Sequence, residues 1–133
     1  MTITDPISDL FTRLRNALKE KHESLTVPYS KNKFIILKIL EDNGFIKNFY
    51  IVDESLVQKN IKINLKYRPN GSQLISELKR ISKPSKRVYV KKAEIPRVLS
   101  GFGLSIMSTS KGIISGKDAR IKNVGGELIG IVW

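Results

Sequence analysis

At 133 residues the chain has room for one ordinary domain or two small ones, and its 41% hydrophobic content suffices for a packed core. Its 24 lysines and arginines face 12 acids, and the net charge of +12 points to a polyanion, either nucleic acid or an anionic membrane surface. Apolar runs such as Phe34-Ile35-Ile36-Leu37 are far too short to span a bilayer, no leader-like segment opens the chain, and the lack of cysteine excludes disulfides, cysteine zinc sites and thiol nucleophiles.

In chain order, Asp5-Pro6 reads as a helix start, with Asp5 as N-cap and Pro6 at the first helical position. Ile7, Leu10, Phe11, Leu14, Ala17 and Leu18 fall on one face, predicting a helix over 6–20. Ser24 to Pro28 alternates as a short strand ended by proline. Ser30 is placed to cap a helix over 31–43, with Gly44 as its stop. Strands are predicted over 45–52 and 61–67, with a turn over 53–60 between them. This makes an N-terminal α-β-α-β-β arrangement, two helices on a three-stranded sheet.

Arg68-Pro69-Asn70-Gly71-Ser72 breaks the pattern. A domain boundary is expected there, giving subdomains 1–68 and 69–133. Beyond it, 74–81 fits a helix by spacing and a strand by neighbourhood. A tight connection at 82–86, a strand over 87–91, a helical turn over 94–99, a short helix near 117–122 capped by Ser115, and a last strand over 127–133 follow. The fold class is therefore α+β, with a mainly β C-terminal subdomain carrying short helices. Charge is unevenly shared: residues 1–70 hold 12 basic and 8 acidic side chains, whereas residues 71–133 hold 12 and 4. The C-terminal half is the expected main contact with a polyanion.

Catalytic parts are scarce. His22 sits between Lys21 and Glu23 after the first helix, as a solvated loop residue would. Asp5 and Asp9 lie one helical turn apart, a spacing that suits either a shared metal ion or two acids answering a helix macrodipole. No phosphate-cradling glycine loop, dinucleotide fingerprint or His-Glu-x-x-His motif appears. No catalytic residue, cofactor or metal site is expected.

Features suited to RNA are more numerous. From Gly103 the chain alternates as a strand through Met107, then runs into Ser108, Thr109, Ser110 and Lys111 before Gly112. Hydroxyls donate and accept hydrogen bonds and lysine offers a point charge for phosphate, although serine and threonine also simply make turns. Lys83, Lys86, Arg87, Lys91 and Lys92 surround Tyr89, which can stack on an unpaired base or pack in a sheet. Lys111, Lys117, Arg120 and Lys122 form a second basic cluster. Glu127, an acid beside Gly125 and Gly126, is either a surface acid or an acceptor for base amino groups or for the 108–110 hydroxyls.

Together these motifs resemble the small-subunit ribosomal protein S8 family in its bacterial or organellar form. The resemblance is carried by Ser108-Thr109-Ser110-Lys111 within Gly103–Gly112, Ala119-Arg120, and Val124-Gly125-Gly126-Glu127. Asp5-Pro6-Ile7-Ser8-Asp9 with Thr12, Arg13, Arg15 and Asn16, Gly44-Phe45-Ile46, and Ile81-Ser82-Lys83-Pro84 with Arg87-Val88-Tyr89 add to it. It runs essentially end to end, with one departure: Ser85 stands where the family usually has glycine. The resemblance implies a structural, non-enzymatic constituent of the small subunit that binds a stem in the central domain of the rRNA and helps organise the platform. It implies contact with neighbouring proteins such as S5 and, as an alternative role, repression of its own operon through an mRNA stem. The implied location is the ribosome, cytoplasmic or organellar, with no membrane partner. The implied RNA contacts are Ser108, Thr109, Ser110 and Lys111 with Gly125, Gly126 and Glu127. Pro84, Ser85, Arg87 and Tyr89 lie beside them, and Thr2, Thr4, Asp5, Ser8, Arg15 and Lys31 form an N-terminal set. An enzymatic alternative, a magnesium-dependent nuclease, would rest on Asp5 and Asp9.

Overall fold

The computed structural model describes residues 5–52, 59–98 and 103–133. Its helices and antiparallel sheets make an α+β protein, and the chain divides into two compact units. One is Asp9–Leu74. The other joins the first residues, described from Asp5 to Ser8, to Ile75–Trp133.

Helix α1 (Pro6–Lys19) begins at Asp5, whose carboxylate accepts from the Ser8 amide at 3.2 Å in the manner of an N-cap. Its face of Leu10, Phe11, Leu14, Ala17 and Leu18 is buried. Strand β1 (Ser24–Pro28) leads to α2 (Lys31–Asp42), capped by Ser30, which accepts from the Lys33 amide at 3.2 Å. Strands β2 (Ile46–Val52) and β3 (Asn60–Leu65) complete a sheet of order β1-β3-β2. In β3, Ile61, Ile63 and Leu65 are buried while Asn60, Lys62 and Asn64 alternate onto the other face. Helix α2 packs on β2, and the rings of Tyr29, Phe34 and Phe49 close that corner with centroids 6.2 and 5.0 Å apart.

The predicted strand over 61–67 stops at Leu65. Tyr67 instead bridges to Gln73 and donates its hydroxyl to the His22 carbonyl. The predicted turn at 53–60 falls mostly outside the described residues.

In the second unit, β4 (Leu78–Arg80), β5 (Tyr89–Val90), β6 (Leu104–Thr109), β7 (Gly112–Ser115) and β8 (Gly126–Val132) form one sheet. Strand β8 is its axis, with β6 on one side and β4 and β5 along the other; β7 extends β6 as a hairpin. The ambiguous stretch 74–81 forms no helix, and only Leu78–Arg80 within it is a strand. The Ser76 and Glu77 amides both donate to the Trp133 carbonyl before the β4–β8 ladder begins, so backbone pairing wins over helical spacing. The expected strand over 87–91 shortens to Tyr89–Val90. The helical turn expected from residue 94 lies earlier, as a 3₁₀ turn over Lys92–Glu94, and residues 99–102 lie outside the described ones.

The alternation read in β6 is real, but Leu104, Ser105, Ile106 and Met107 are all buried, as befits an interior strand covered on both faces. On one face Met107 joins Ile95, Ala119 and Leu128 in a cluster roofed by helix α3 (Gly116–Ile121). Ser115 caps α3 as expected, accepting from Asp118 at 3.1 Å. The three α-helices among the described residues end alike: Lys21, Gly44 and Asn123 adopt positive φ, and the next amide reaches back to Ala17, Leu40 and Ala119.

Strand β8 starts in a tight place. A Cβ on Gly126 would stand 2.2 Å from the Ser108 carbonyl oxygen, and one on Gly125 2.5 Å from that of Val90. Gly126→Ala should therefore destabilise the protein by about 1–3 kcal/mol through forced backbone shifts. Gly71→Ala, with open space but φ +84°, should cost about 1 kcal/mol. Urea midpoints of the two variants test the ranking, and an unshifted Gly126→Ala midpoint would remove the steric argument.

Candidate nucleic-acid interface

The register of β8 puts three side chains in one row on one face: Ser108 of β6, Glu127 of β8 and Tyr89 of β5. The Tyr89 ring is 71% exposed, so it does not pack in the sheet. Glu127 is largely buried at 16% exposure. Its carboxylate accepts from the Arg87 guanidinium at 2.9 Å and from the Ser82 hydroxyl, and that hydroxyl accepts from the Val88 amide at 3.1 Å. The expectation that Glu127 orients the 108–110 hydroxyls is thus corrected: the hydroxyl it holds is Ser82. Burial pushes the Glu127 carboxyl upward, but the bonds from Ser82 and Arg87 and the charges of Arg87 and Arg80 outweigh it, leaving the group below its ordinary range.

Ser110 and Lys111 form the exposed tip between β6 and β7, and Gly112 turns the chain at φ +98°. Thr109 is committed to that turn. Its hydroxyl donates to the Gly112 carbonyl at 2.9 Å and accepts from the Lys111 amide at 3.0 Å. Ser108 is half-buried in the row with Glu127.

The Lys83–Lys86 connection is a reciprocal bridge with both amide bonds at 3.0 Å and Pro84 and Ser85 at its tip. Ser85 has no positive φ, so the turn does not require the glycine usual there. Pro84 and Ser85 share a shallow cleft of about 260 Å³ with Lys83 and Asp5. This joins part of the N-terminal set to the C-terminal one. Asp5 accepts from Ser8 and from two nitrogens of Arg80, at 3.2 and 3.4 Å, and Arg80 also donates to the Ile129 carbonyl at 2.9 Å. Burial raises the Asp5 carboxyl, while the Ser8 bonds and Arg80 more than reverse it, so it too lies below its ordinary range. Asp9 pairs with Arg13 at 2.9 Å. Each acid is thus paired with a guanidinium. Among the described residues no group of acids or histidines is arranged to hold a metal ion.

Arg15 and Lys31 are exposed on the other unit, and Thr2 and Thr4 lie outside the described residues. Arg80 and Ser82 were not read as part of the site. Their signal was two-residue spacing with buried Leu78, which places a cation at the end of β4 and a hydroxyl two residues beyond it. No described helix is long and apolar enough to cross a membrane.

A family model described as "Ribosomal protein S8" matches residues 5–133, and the chain belongs to that family. It is similar to small ribosomal subunit protein uS8 of Streptococcus pneumoniae strains Hungary19A-6, CGSP14 and TIGR4. Each is 51% identical over 133 residues, covering 100% of both chains. The chain is thus a structural constituent of the small ribosomal subunit, with rRNA and ribosomal proteins as its partners.

Two predictions follow from the ion pairs. The Arg80 side chain is 7% exposed, so Arg80→Ala should cost about 3–5 kcal/mol by stranding Asp5, whereas Arg13→Ala should cost under about 1 kcal/mol from an exposed pair. Denaturant titration ranks them, and equal costs would sink the distinction. Glu127 also makes stability pH-dependent. Its folded value is depressed, so its contribution is complete above about pH 5 and fades as pH falls through the folded value. Wild type should lose more stability than Glu127→Gln between about pH 5 and pH 3; parallel pH profiles would contradict this.

Proposed function

We propose that the unit containing Ile75–Trp133 binds a stem in the central domain of the small-subunit rRNA, acting as a primary binder during platform assembly. The observation that carries this reading is the row Ser108–Glu127–Tyr89, in which an unpacked ring stands beside a fixed carboxylate and the hydroxyl-rich hairpin tip. An RNA minor groove displays 2′-hydroxyls and base edges within reach of short polar side chains, and a free tyrosine can stack on a splayed base. Arg87, Lys83, Lys86 and Lys111 are exposed on the same unit as phosphate partners. Glu127 acts through Arg87, fixing the guanidinium's direction. The N-terminal contact reaches RNA through the cleft of Asp5, Pro84 and Ser85. S5 is the proposed protein neighbour, and an own-operon mRNA stem bearing the same features would compete for this face.

Tyr89→Ala should weaken binding to the cognate stem by about 1–3 kcal/mol while leaving thermal stability unchanged, since the ring is exposed. Tyr89→Phe should keep most of the affinity. Filter binding against an unrelated duplex at one fixed salt concentration measures the effect. Equal loss on both RNAs would leave only generic charge.

A further inference from the structure

The sheet of the Asp9–Leu74 unit buries one face, and its other face is open. Along that face the strands align Ser24, Asn64 and Asn48 in one row and Thr26, Lys62 and Tyr50 in the next. Thr26, Asn48 and Tyr50 are exposed, with Tyr50 at 48%. The Asn64 amide donates to the Asn48 side-chain carbonyl at 2.6 Å. That single bond leaves the Asn48 amide group as a donor and the Asn64 carbonyl as an acceptor, side by side. A shift of register at Lys47 brings that lysine into the same place. Lys47, Asn48, Asn64, Lys66, Tyr67 and Glu23 line a concavity of about 620 Å³, within the size range of small-ligand sites.

The wall is fixed. Tyr67 holds the His22 carbonyl with its hydroxyl and carries the Lys21 ammonium 5.6 Å from its ring centroid, while Lys21 itself donates to the Gly71 carbonyl at 2.7 Å. Lys47 and Lys66 are exposed cations at the rim, and Lys62 adds a third in the Tyr50 row. Glu23 is the acid among the described lining residues, so the balance favours an anion.

We propose that this open sheet face is a second RNA contact, one that takes unpaired nucleotides: the Asn48–Asn64 pair meets a base edge, Tyr50 stacks on the neighbouring base, and Lys47, Lys62 and Lys66 hold the phosphates. A flat, half-polar sheet with one free ring and flanking cations suits single strands better than a duplex, whose bases are already stacked. The inference shares with the proposed function only the class of partner, because it stands on a different unit and different residues.

The test uses the full chain, isotope-labelled, with a short oligouridylate and the cognate stem as separate probes at one salt concentration. Oligouridylate should shift the Asn48 and Asn64 side-chain amide signals. Tyr50→Ala should weaken it about tenfold, the worth of one stacked base, and Lys66→Gln should weaken it with a shallower salt dependence. Neither should change stem affinity, whereas Tyr89→Ala should do the reverse. Oligouridylate shifts confined to residues 75–133, or unchanged affinity in both Tyr50→Ala and Lys66→Gln, overturns the inference and leaves the stem reading standing. Loss of stem binding with oligouridylate binding intact fails the stem reading alone. A photocrosslink from position 50 to protein instead of RNA in assembled subunits also overturns the inference.

Discussion

Arg80 is the point on which the Ile75–Trp133 unit depends. A guanidinium at 7% exposure must have its charge answered and its donors filled. Asp5 supplies both carboxylate oxygens and Ile129 supplies a carbonyl. Those bonds tie the start of α1, strand β4 and strand β8 together. They also fix the cleft where Asp5 meets Pro84 and Ser85. Glu127 does the same work one step along β8, holding Ser82 and Arg87 and, through Ser82, the Val88 amide that leads into β5. The candidate RNA face is therefore a row across one sheet face, held by two largely buried charges, with its ring and hairpin tip left free.

The helices were legible wherever capping chemistry and apolar spacing agreed. Ser30 and Ser115 cap as expected, and α1 and α2 end within a residue of their predicted limits. The short strands were less so, because length in a sheet is set by the partner. Residues 74–81 carry helical spacing, yet the Trp133 carbonyl takes the Ser76 and Glu77 amides and β8 draws Leu78–Arg80 into a strand. Lys21 ends a helix at positive φ with no glycine to announce it. In β6 a period of two was visible, but not that both faces would be covered.

The site divides in the same way. Residue chemistry pointed to Tyr89, Glu127 and the hydroxyl run, and the register brings Ser108, Glu127 and Tyr89 into one row. It could not distinguish a hydroxyl free for a ligand from one consumed by its own turn, as Thr109's is. Nor could it anticipate that Gly125 and Gly126 answer to carbonyls inside the protein. Arg80 and Ser82 went unread because their partners lie 75 and 45 residues away. Pairings of that separation leave no local pattern.

That separation has a kinetic meaning. As the chain leaves a ribosome, all of Asp9–Leu74 emerges before most of the other unit exists, so it can fold first. Asp5, by contrast, waits for Arg80, and the sheet around Arg80 waits for β8, the axis strand and the last to be made. Long-range pairing of this kind is slow, since loop closure precedes any reward from contact. The row Ser108–Glu127–Tyr89 is then completed only once β8 has emerged, well after the Asp9–Leu74 sheet can stand.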